Sequence, residues 1–239
     1  MLTPSDFFDL TDPFVAELFA GCTYVWEAIA QIRRHVHRLV QGQQTILGEV
    51  MPGAYIGTAP IYIGPGARIE PGAYVHGPAY IGAGVVVRHG AYVREDVIML
   101  ADSILGHTSE AKNSLFLPHA AAPHFNYVGD AILGHRVNLG AGTKLSNLGI
   151  LSEKDKATGK RPTIKLTVDA IEYDTGLTKF GAILGDDSQT GCNSVLNPGC
   201  IIGPNTLVYA NVSLRKGFHP GHGIIKLRQN IRHIDRDGF

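Results

Sequence analysis

The sequence predicts an all-β solenoid, a parallel β-helix of short strands, preceded by a helical segment. From Ile63 to Leu105 an aliphatic residue or Met recurs at every sixth position, and the pattern returns from Leu184 to Leu214 with Thr190 as its one polar member. A period of six fits neither the 3.6-residue helix nor the two-residue alternation of a strand. Turn-forming residues are also abundant, with 29 glycines and 13 prolines, as a chain of many short strands requires.

A six-residue period suits a chain that makes a short strand, turns and repeats. Three repeats close one triangular coil of about 18 residues, and coils stack at the strand spacing of about 4.8 Å. One apolar side chain on each side points inward, so stacking supplies a core that a single coil lacks. Small residues at the corners permit tight turns. A β-sandwich is the alternative, but its strands do not keep one phase over eight successive positions.

The predicted divisions are a helical segment at 1–45, a β-helix at 46–215 with an insertion at 151–180, and a tail at 216–239. Asp12-Pro13 is typical of a helix start, and an apolar stripe predicts a helix from about Thr23 to Gln41. The basic residues from Arg33 to Arg38 fall largely off that stripe and are predicted to face solvent.

The insertion is predicted because the six-residue phase breaks between Leu145 and Leu184. Its first half is charged, and its second half contains two candidate strands, Thr163–Val168 and Ala170–Tyr173, which predict a β-hairpin. Loops that leave a rigid scaffold often carry function.

Charge and cysteine content exclude several classes of protein. Lys plus Arg equals Asp plus Glu, 21 each, so no basic excess points to nucleic acid or an anionic membrane as partner. Cys22, Cys192 and Cys200 form no C-x-x-C motif and cannot all pair, which favours a reducing compartment. The sequence shows neither a signal peptide nor an apolar run near the ~18 residues that span a bilayer. We therefore expect a cytoplasmic protein.

The densest run of chemically active side chains lies at 106–149. The intervals from Arg94 to Glu110, from Glu110 to His124 and from His124 to Asn138 are each close to one coil. Stacking of coils therefore predicts that these four side chains gather near one edge of the prism. Polar residues on any outer face are the alternative explanation.

Four motifs in and around this run resemble a known family. They are Glu-x-Lys at 110–112, His-x-x-Tyr-x-Gly-Asp at 124–130, Val-Asn-x-Gly-Ala-Gly-Thr at 137–143, and Asn147. The segment resembles the acetyltransferase domain of the bifunctional glucosamine-1-phosphate acetyltransferase/N-acetylglucosamine-1-phosphate uridylyltransferase. It is more similar to archaeal sugar-1-phosphate nucleotidylyltransferases with an amino-sugar acetyltransferase tail. The resemblance covers roughly residues 90–150 and does not include 1–45.

The resemblance implies a left-handed β-helix of hexapeptide repeats, assembled as a homotrimer. Handedness rests on the resemblance alone, because parallel crossovers are normally right-handed. The implied reaction moves an acetyl group from acetyl-CoA to the amine of an amino-sugar phosphate such as glucosamine 1-phosphate, and no metal is expected. The implied site residues are His124 as general base, Asn138 near the amine and thioester, Glu110, Lys112, Tyr127 and Asn147 at the sugar phosphate, and Ala141, Gly142 and Cys192 at acetyl-CoA. Both Arg88 and Arg94 are candidates for the arginine that binds phosphate.

Elementary chemistry agrees with this assignment. An amine attacks a thioester only when it is unprotonated, so the reaction needs a base that works near neutral pH, and histidine is the natural one. A main-chain N–H in the run Gly140–Gly142 would stabilise the oxyanion of the tetrahedral intermediate.

A zinc enzyme is one alternative function. His119 and His124 have the His-x4-His spacing that γ-class carbonic anhydrases use for zinc, and His89 and His107 lie one coil apart. Three imidazoles would bind zinc well, although no third ligand stands at a matching upstream position.

A non-catalytic sugar-nucleotide-binding or scaffold protein is the other alternative. Leu148 stands where the bacterial enzymes have Tyr, and Cys192 is equally well explained as a small buried filler. Residues 1–45 contain no Gly-rich nucleotide loop, so uridylyl transfer is not expected.

Overall fold

The structure, a computed structural model, describes residues 2–150 and 152–231 as a three-sided prism of parallel strands with a helical segment packed on one side. A 3₁₀ turn at Pro4–Asp6 precedes α1 (Pro13–Leu18) and α2 (Glu27–Val40). Twenty-six strands, numbered β1 to β26 in chain order, follow. The N-terminal segment is therefore helical as far as Val40, and β1 begins at Gln44, just before the predicted boundary at residue 45. Met1 lies outside the described residues.

Each side of the prism is one ladder of strands. The first face contains β1 (Gln44–Ile46), β4 (Ile61–Ile63), β7 (Ala79–Ile81), β10 (Val97–Met99), the second halves of β12 (Glu110–Phe116) and β14 (Tyr127–Leu133), β19 (Ala182–Leu184), β22 (Cys200–Ile202) and β25 (Gly217–His219). The second face contains β2 (Glu49–Val50), β5 (Arg68–Ile69), β8 (Val86–Val87), β11 (Ile104–His107), β13 (Ala121–His124), β15 (Asn138–Leu139), β20 (Gln189–Thr190), β23 (Leu207–Val208) and β26 (Ile224–Ile225). The third face contains β3 (Tyr55–Ile56), β6 (Tyr74–Val75), β9 (Tyr92–Val93), the first halves of β12 and β14, β16 (Lys144–Leu145), β21 (Val195–Leu196) and β24 (Ser213–Leu214).

The six-residue series forms the interior of the prism. Every member from Ile63 to Leu105 is completely buried, and the second series from Leu184 to Leu214 is also buried. These side chains form one cluster that runs along the prism axis. The predicted left-handed parallel β-helix, with its helical segment and hairpin insertion, is confirmed.

Outside the insertion the coils differ in length, and the longest step, from Tyr55 to Tyr74, exceeds the full step of three repeats by one residue. Ala79 pairs with Val97, the full step of three repeats, whereas Glu110 pairs with Tyr127, one position short of that step. The shorter coils bend β12 and β14 directly from the third face into the first, at Asn113 (φ 42°) and Asp130 (φ 48°). Stacking in the region of the predicted site therefore follows this shorter step and not the full step expected from the repeats.

The outer side of the first face is covered by the N-terminal segment. Ile98, Ile132 and Ile183 point outward from the middle of their strands, yet they are buried in a second cluster with Ile29 and Ile32 of α2. The first face is therefore packed on both sides, which adds roughly 25 cal/mol for each Å² of apolar surface removed from water. Among the described residues the N-terminal helices pack on the first face and on neither of the other two.

Two details of α2 differ from the sequence prediction. The helix begins at Glu27 and not at Thr23, because the Glu27 carboxylate accepts hydrogen bonds from the N–H groups of Thr23 and Tyr24 and holds them in a turn. His35 is buried and not solvated, and its Nε2 has no hydrogen-bond partner among the described residues. Burial, followed by the nearby Arg38, lowers the pKa of His35, which keeps the ring neutral.

The insertion contains the predicted hairpin. Strands β17 (Lys165–Val168) and β18 (Ile171–Asp174) are antiparallel and join through Asp169 and Ala170. Both turn residues have positive φ, 50° and 62°, as a two-residue hairpin turn requires. Leu151 lies outside the described residues.

The prism continues past residue 215, where the sequence interpretation placed the start of a tail. β25 and β26 add one more strand to the first and second faces. Residues 232–239 of the predicted tail lie outside the described residues. Neither α1 nor α2, the α-helices of the described chain, has the length and apolar character that crossing a bilayer demands.

Candidate active site

Residues from successive coils stack in one column along the corner between the second and third faces. The column contains His89, His107, His124, Ala141 and Cys192. The N–H groups of Thr108, Phe125, Gly142 and Asn193 link its members, each donating to the carbonyl of the column residue one coil earlier at 2.8–3.1 Å. His124 therefore lies between His107 and Ala141, and three of the predicted site residues share this corner with Gly142 next to them.

The ring of His124 is exposed and pairs with the ring of His107. The two Nδ1 atoms are 3.4 Å apart, so one Nδ1–H donates to the other nitrogen. No described residue hydrogen-bonds Nε2 of His124. The main chain of His124 is fixed by Asn126, a buried side chain whose Oδ1 accepts the His124 N–H at 2.9 Å and whose Nδ2 donates to Gly140. This arrangement orients the ring and leaves Nε2 available as a base.

Of the three N–H groups in the run Gly140–Gly142, where an oxyanion donor is predicted, one is left without a hydrogen-bond acceptor among the described residues. The N–H of Gly140 donates to Thr190 and that of Gly142 to His124. Ala141 N–H has no acceptor within the described part of the chain. Gly142 adopts φ +71°, and a Cβ there would lie 2.9 Å from the Phe125 ring. Gly142 is therefore required by the backbone, and Ala141 is the free main-chain donor beside His124.

A charged cluster lies on the third face, between this corner and the bend at Asn113 into the first face. Arg94 Nη1 donates to Glu110 Oε1 at 2.9 Å, which is the main reason why the pKa of Arg94 is raised. Glu95 lies 3.5 Å from both Arg94 and Lys112. Two cations are thus held by two carboxylates, and a phosphate bound here would replace a carboxylate as their partner.

A polar group at the end of the same strands completes the cluster. Asp130 is buried and accepts hydrogen bonds from Asn113 Nδ2 at 2.9 Å and Asn147 Nδ2 at 2.5 Å. A Cβ on Gly129 would lie 2.5 Å from the Tyr127 hydroxyl and 2.9 Å from Asn147 Nδ2. The hydroxyl and the amide therefore meet over Gly129. Burial, then Glu110 and Asp130, raise the pKa of Tyr127 and keep its hydroxyl protonated.

The structure does not gather all four residues that the coil spacing placed together. Arg94 and Glu110 are in contact, but His124 is at the corner and Asn138 is on the second face, opposite Ala121. Arg88 also lies on the second face, where its N–H donates to Leu105. Of the two candidate arginines, Arg94 is therefore the one that reaches Glu110 and Lys112.

The arrangement of histidines differs from that of the zinc alternative. His119 lies at the opposite end of the second face from His124, with its Nδ1 4.0 Å from Asp102. Within residues 2–150 and 152–231 no three His, Cys, Asp or Glu side chains are grouped so that they could hold a metal ion.

Two residues of the site were missed in the sequence. His107 was considered only as a metal ligand, although it stands one short coil before His124 and the two rings meet. Asp130 stood in the recognised motif but was given no role.

The repeat family described as bacterial transferase hexapeptide (six repeats) matches residues 60–107 and 181–216. The chain carries hexapeptide repeats. This hexapeptide-repeat protein is 31% identical over 121 residues to the bifunctional protein GlmU of Methanococcus vannielii, covering 51% of this chain and 27% of that protein. It is 38% identical over 154 residues to GlmU of Methanococcus maripaludis, covering 64% and 35%.

A third relative is the bifunctional sugar-1-phosphate nucleotidylyltransferase/acetyltransferase of Sulfurisphaera tokodaii, 33% identical over 112 residues, covering 47% of this chain and 26% of that protein. The predicted similarity to this family is confirmed. The matched segments span only about a quarter to a third of these relatives.

The acetyltransferase domain of PglB from Neisseria gonorrhoeae FA1090, solved in complex with acetyl coenzyme A, is 15% identical and covers 74% of this chain and 52% of that chain, with a TM-score of 0.30. A TM-score this low supports no comparison of the sites.

Proposed function

We propose that this hexapeptide-repeat protein is an N-acetyltransferase that moves the acetyl group of acetyl-CoA to the amine of an amino-sugar phosphate. The observation that carries the proposal is the third face, which begins at the corner with His124 and the free Ala141 N–H and carries the Arg94–Lys112 cluster. A base, an oxyanion donor and cations for an anionic sugar thus border one face. These are the parts that acyl transfer to a phosphorylated amine needs.

The steps follow from this geometry. Arg94 and Lys112 bind the phosphate, while Tyr127 and Asn147 hold the sugar ring, with Glu110 orienting Arg94. His124 Nε2 takes a proton from the amine, and the nitrogen bonds to the acetyl carbon. Ala141 N–H stabilises the oxyanion until the C–S bond breaks and the CoA sulfur takes up a proton. Holding amine and thioester together supplies much of the remaining acceleration.

A homotrimer is part of the proposal. The N-terminal segment covers the first face, so the second and third faces are the ones open to a neighbouring prism. They meet at the corner that carries His124, and a cleft there would bring Asn138 of one subunit toward the sugar site of another. We expect a mass in solution of three times the 25.7 kDa of the chain, measured by sedimentation equilibrium.

The decisive experiment is an acetyl-CoA turnover assay. Glucosamine 1-phosphate, galactosamine 1-phosphate, a nucleotide-linked amino sugar and the unphosphorylated sugars are supplied as acceptors, and CoA release is followed with a thiol reagent. Turnover that requires both the amine and the phosphate supports the proposal. Absence of turnover with every acceptor favours the non-catalytic scaffold.

Cys192 provides a test of where acetyl-CoA lies. Cys192 is exposed, whereas burial raises the pKa of the Cys22 thiol to about 11 and that of Cys200 to about 12. We therefore expect one thiol per native chain to react rapidly with a thiol reagent, and saturating CoA to slow that reaction at least several-fold. Unchanged labelling in the presence of CoA would place the cofactor elsewhere. The three free cysteines also fit the cytoplasmic location that we propose.

Gly129 provides a test of the sugar site. The Gly129→Ala variant would place a methyl group where the Tyr127 hydroxyl and the Asn147 amide now lie. We expect KM for the acceptor to rise about 10-fold, the cost of roughly one hydrogen bond, while KM for acetyl-CoA and the melting temperature change little. Gly223→Ala is the control, since a Cβ there meets nothing closer than 3.9 Å. Equal kinetics for both variants would remove Tyr127 and Asn147 from the sugar site.

A further inference from the structure

A row of tyrosines extends the sugar site toward the N-terminal coils. Tyr55, Tyr74 and Tyr92 occupy the same outward position in three successive strands of the third face. The row continues in register to Glu110 and then to Tyr127. One column of the third face therefore joins an aromatic surface to the residues proposed to bind the sugar.

The aromatic row is not explained by packing within the chain. The first face has a comparable stacked pair, Tyr62 and Tyr80, but Phe14 of α1 packs against Tyr80 and that pair is half-buried. Tyr74 and Tyr92 are also stacked, with ring centres 5.5 Å apart and planes 6° apart. Nothing in the described chain covers them, and Tyr55 and Tyr74 remain 64% and 38% exposed. Within the described chain this surface is free, and a ligand can use it only if, in the proposed trimer, it borders the cleft between subunits and is not buried by the neighbour.

A cavity of about 540 Å³ lies at the exposed end of the row. Its lining consists of Tyr55, Ile56, Gly57, Thr58, Tyr74 and His76. The volume is within the range of small-molecule sites, and the lining offers two aromatic rings and an imidazole. A ligand with a flat ring and polar edges could stack on the aromatic rings and hydrogen-bond to the imidazole of this cavity.

Charge and distance indicate what that ring is attached to. Arg94 and Lys112 stand on the third face between the cavity and Tyr127, where they pair with Glu95 and Glu110, and a diphosphate would take the place of these carboxylates as their partner. Three strand spacings separate Tyr74 from Tyr127, which is about 14 Å. A nucleoside diphosphate sugar laid along the column would span this length, with the base at the cavity, the two phosphates at the cations and the sugar at Tyr127.

We infer that the cavity at Tyr55 and Tyr74 binds the nucleoside of the acceptor, so that the acceptor is a nucleoside diphosphate amino sugar and not a bare sugar 1-phosphate. This inference rests on the proposed function and names its substrate. Base–aromatic stacking tolerates different bases, so the row selects for a nucleoside and not for one particular base.

The test compares acceptors that share one sugar: glucosamine 1-phosphate, UDP-glucosamine and dTDP-glucosamine. We expect the wild type to have the higher kcat/KM with a nucleotide-linked acceptor. Tyr74→Ala and Tyr55→Ala should lower that value roughly 5- to 100-fold, as loss of one base–aromatic stack does. They should leave kcat/KM for glucosamine 1-phosphate within about two-fold, and Tyr74→Phe should retain most of the preference. Ile171→Ala, an exposed apolar residue of the hairpin, is the control.

Two results would overturn the inference. Equal losses with all three acceptors would show that the tyrosines have no role specific to the nucleoside. If the Tyr74→Ala variant is monomeric where the wild type is a trimer, the tyrosine row forms a contact between subunits and not a nucleoside site. If no acceptor is acetylated, the proposed function fails, and the inference is judged by calorimetry with UDP and dTDP. Binding that Tyr74→Ala weakens then supports the nucleoside site, and absence of binding removes it.

Discussion

The His124→Ala variant is expected to lose about 10²- to 10⁴-fold in kcat for acetyl transfer, the usual contribution of a positioned general base. The ring is exposed and its main chain is fixed independently by Asn126, so the fold and the binding of acetyl-CoA should be preserved. Residual activity should remain, because amine and thioester are still held together. Steady-state kinetics with saturating acceptor, together with a melting curve, measure both expectations.

His119→Ala is the matched control for this prediction. His119 lies beside the other end of the same second-face strand, is exposed, and is 4.0 Å from Asp102. We expect its kcat to stay within about two-fold of wild type. Added imidazole should restore part of the activity of His124→Ala. It should restore no activity to a variant that is inactive because it no longer binds the acceptor. If His124→Ala keeps wild-type kcat, the base is another group and the mechanism has to be withdrawn.

The repeat made the fold predictable because the six-residue period is a direct product of the geometry. Each side of the prism needs one inward side chain, and the inward positions from Ile63 to Leu105 were all apolar and all buried. The hairpin was predictable for a similar local reason, the break in phase followed by two strand-like segments. The repeat and the hairpin are both determined by residues that lie close together in the sequence.

The candidate site was predicted less completely because it depends on register between coils. The intervals that link Arg94, Glu110, His124 and Asn138 were each treated as one coil, but they are shorter even than the short coils of this region. The neighbours of Glu110 are therefore Tyr92 and Tyr127, and the neighbour of His124 is His107. A one-residue shortening leaves little trace in a single sequence, yet it decides which side chains meet.

The docking of the N-terminal segment was not predictable at all. Its apolar stripe indicated that something would be covered, but not which face of the prism. The contact depends on pairs far apart in sequence, such as Phe7 with Asp186, whose N–H donates to the Phe7 carbonyl at 2.9 Å. Contacts of this kind do not repeat along the sequence, so no periodic pattern predicts them.

Asp186 gives the second large expected effect, this time on stability. Its carboxylate is buried and accepts hydrogen bonds from the N–H of Asp9 and the N–H of His135, both at 2.7 Å, and from His135 Nδ1 at 3.0 Å. It therefore ties the N-terminal segment to the prism. Asp186→Ala leaves these donors without an acceptor, and we expect the free energy of unfolding to fall by roughly 2–4 kcal/mol. Urea denaturation at fixed protein concentration measures it.

The neighbouring residue is a close control, because Asp187→Asn also removes a carboxylate and Asn tolerates the positive φ (61°) of this position. Asp187 pairs with Arg136 at the surface, at 2.6 Å, and exposed ion pairs contribute about 0–1 kcal/mol. The single tryptophan, Trp26, lies buried in the N-terminal segment, so its fluorescence reports whether that segment leaves the prism. In Asp186→Ala we expect this signal to change at lower urea than the β-sheet circular dichroism. If the two signals change at the same urea concentration and Asp186→Ala is as stable as Asp187→Asn, the segment is held by apolar contacts such as those of Ile29 and Ile32. The buried carboxylate of Asp186 then contributes nothing to its docking.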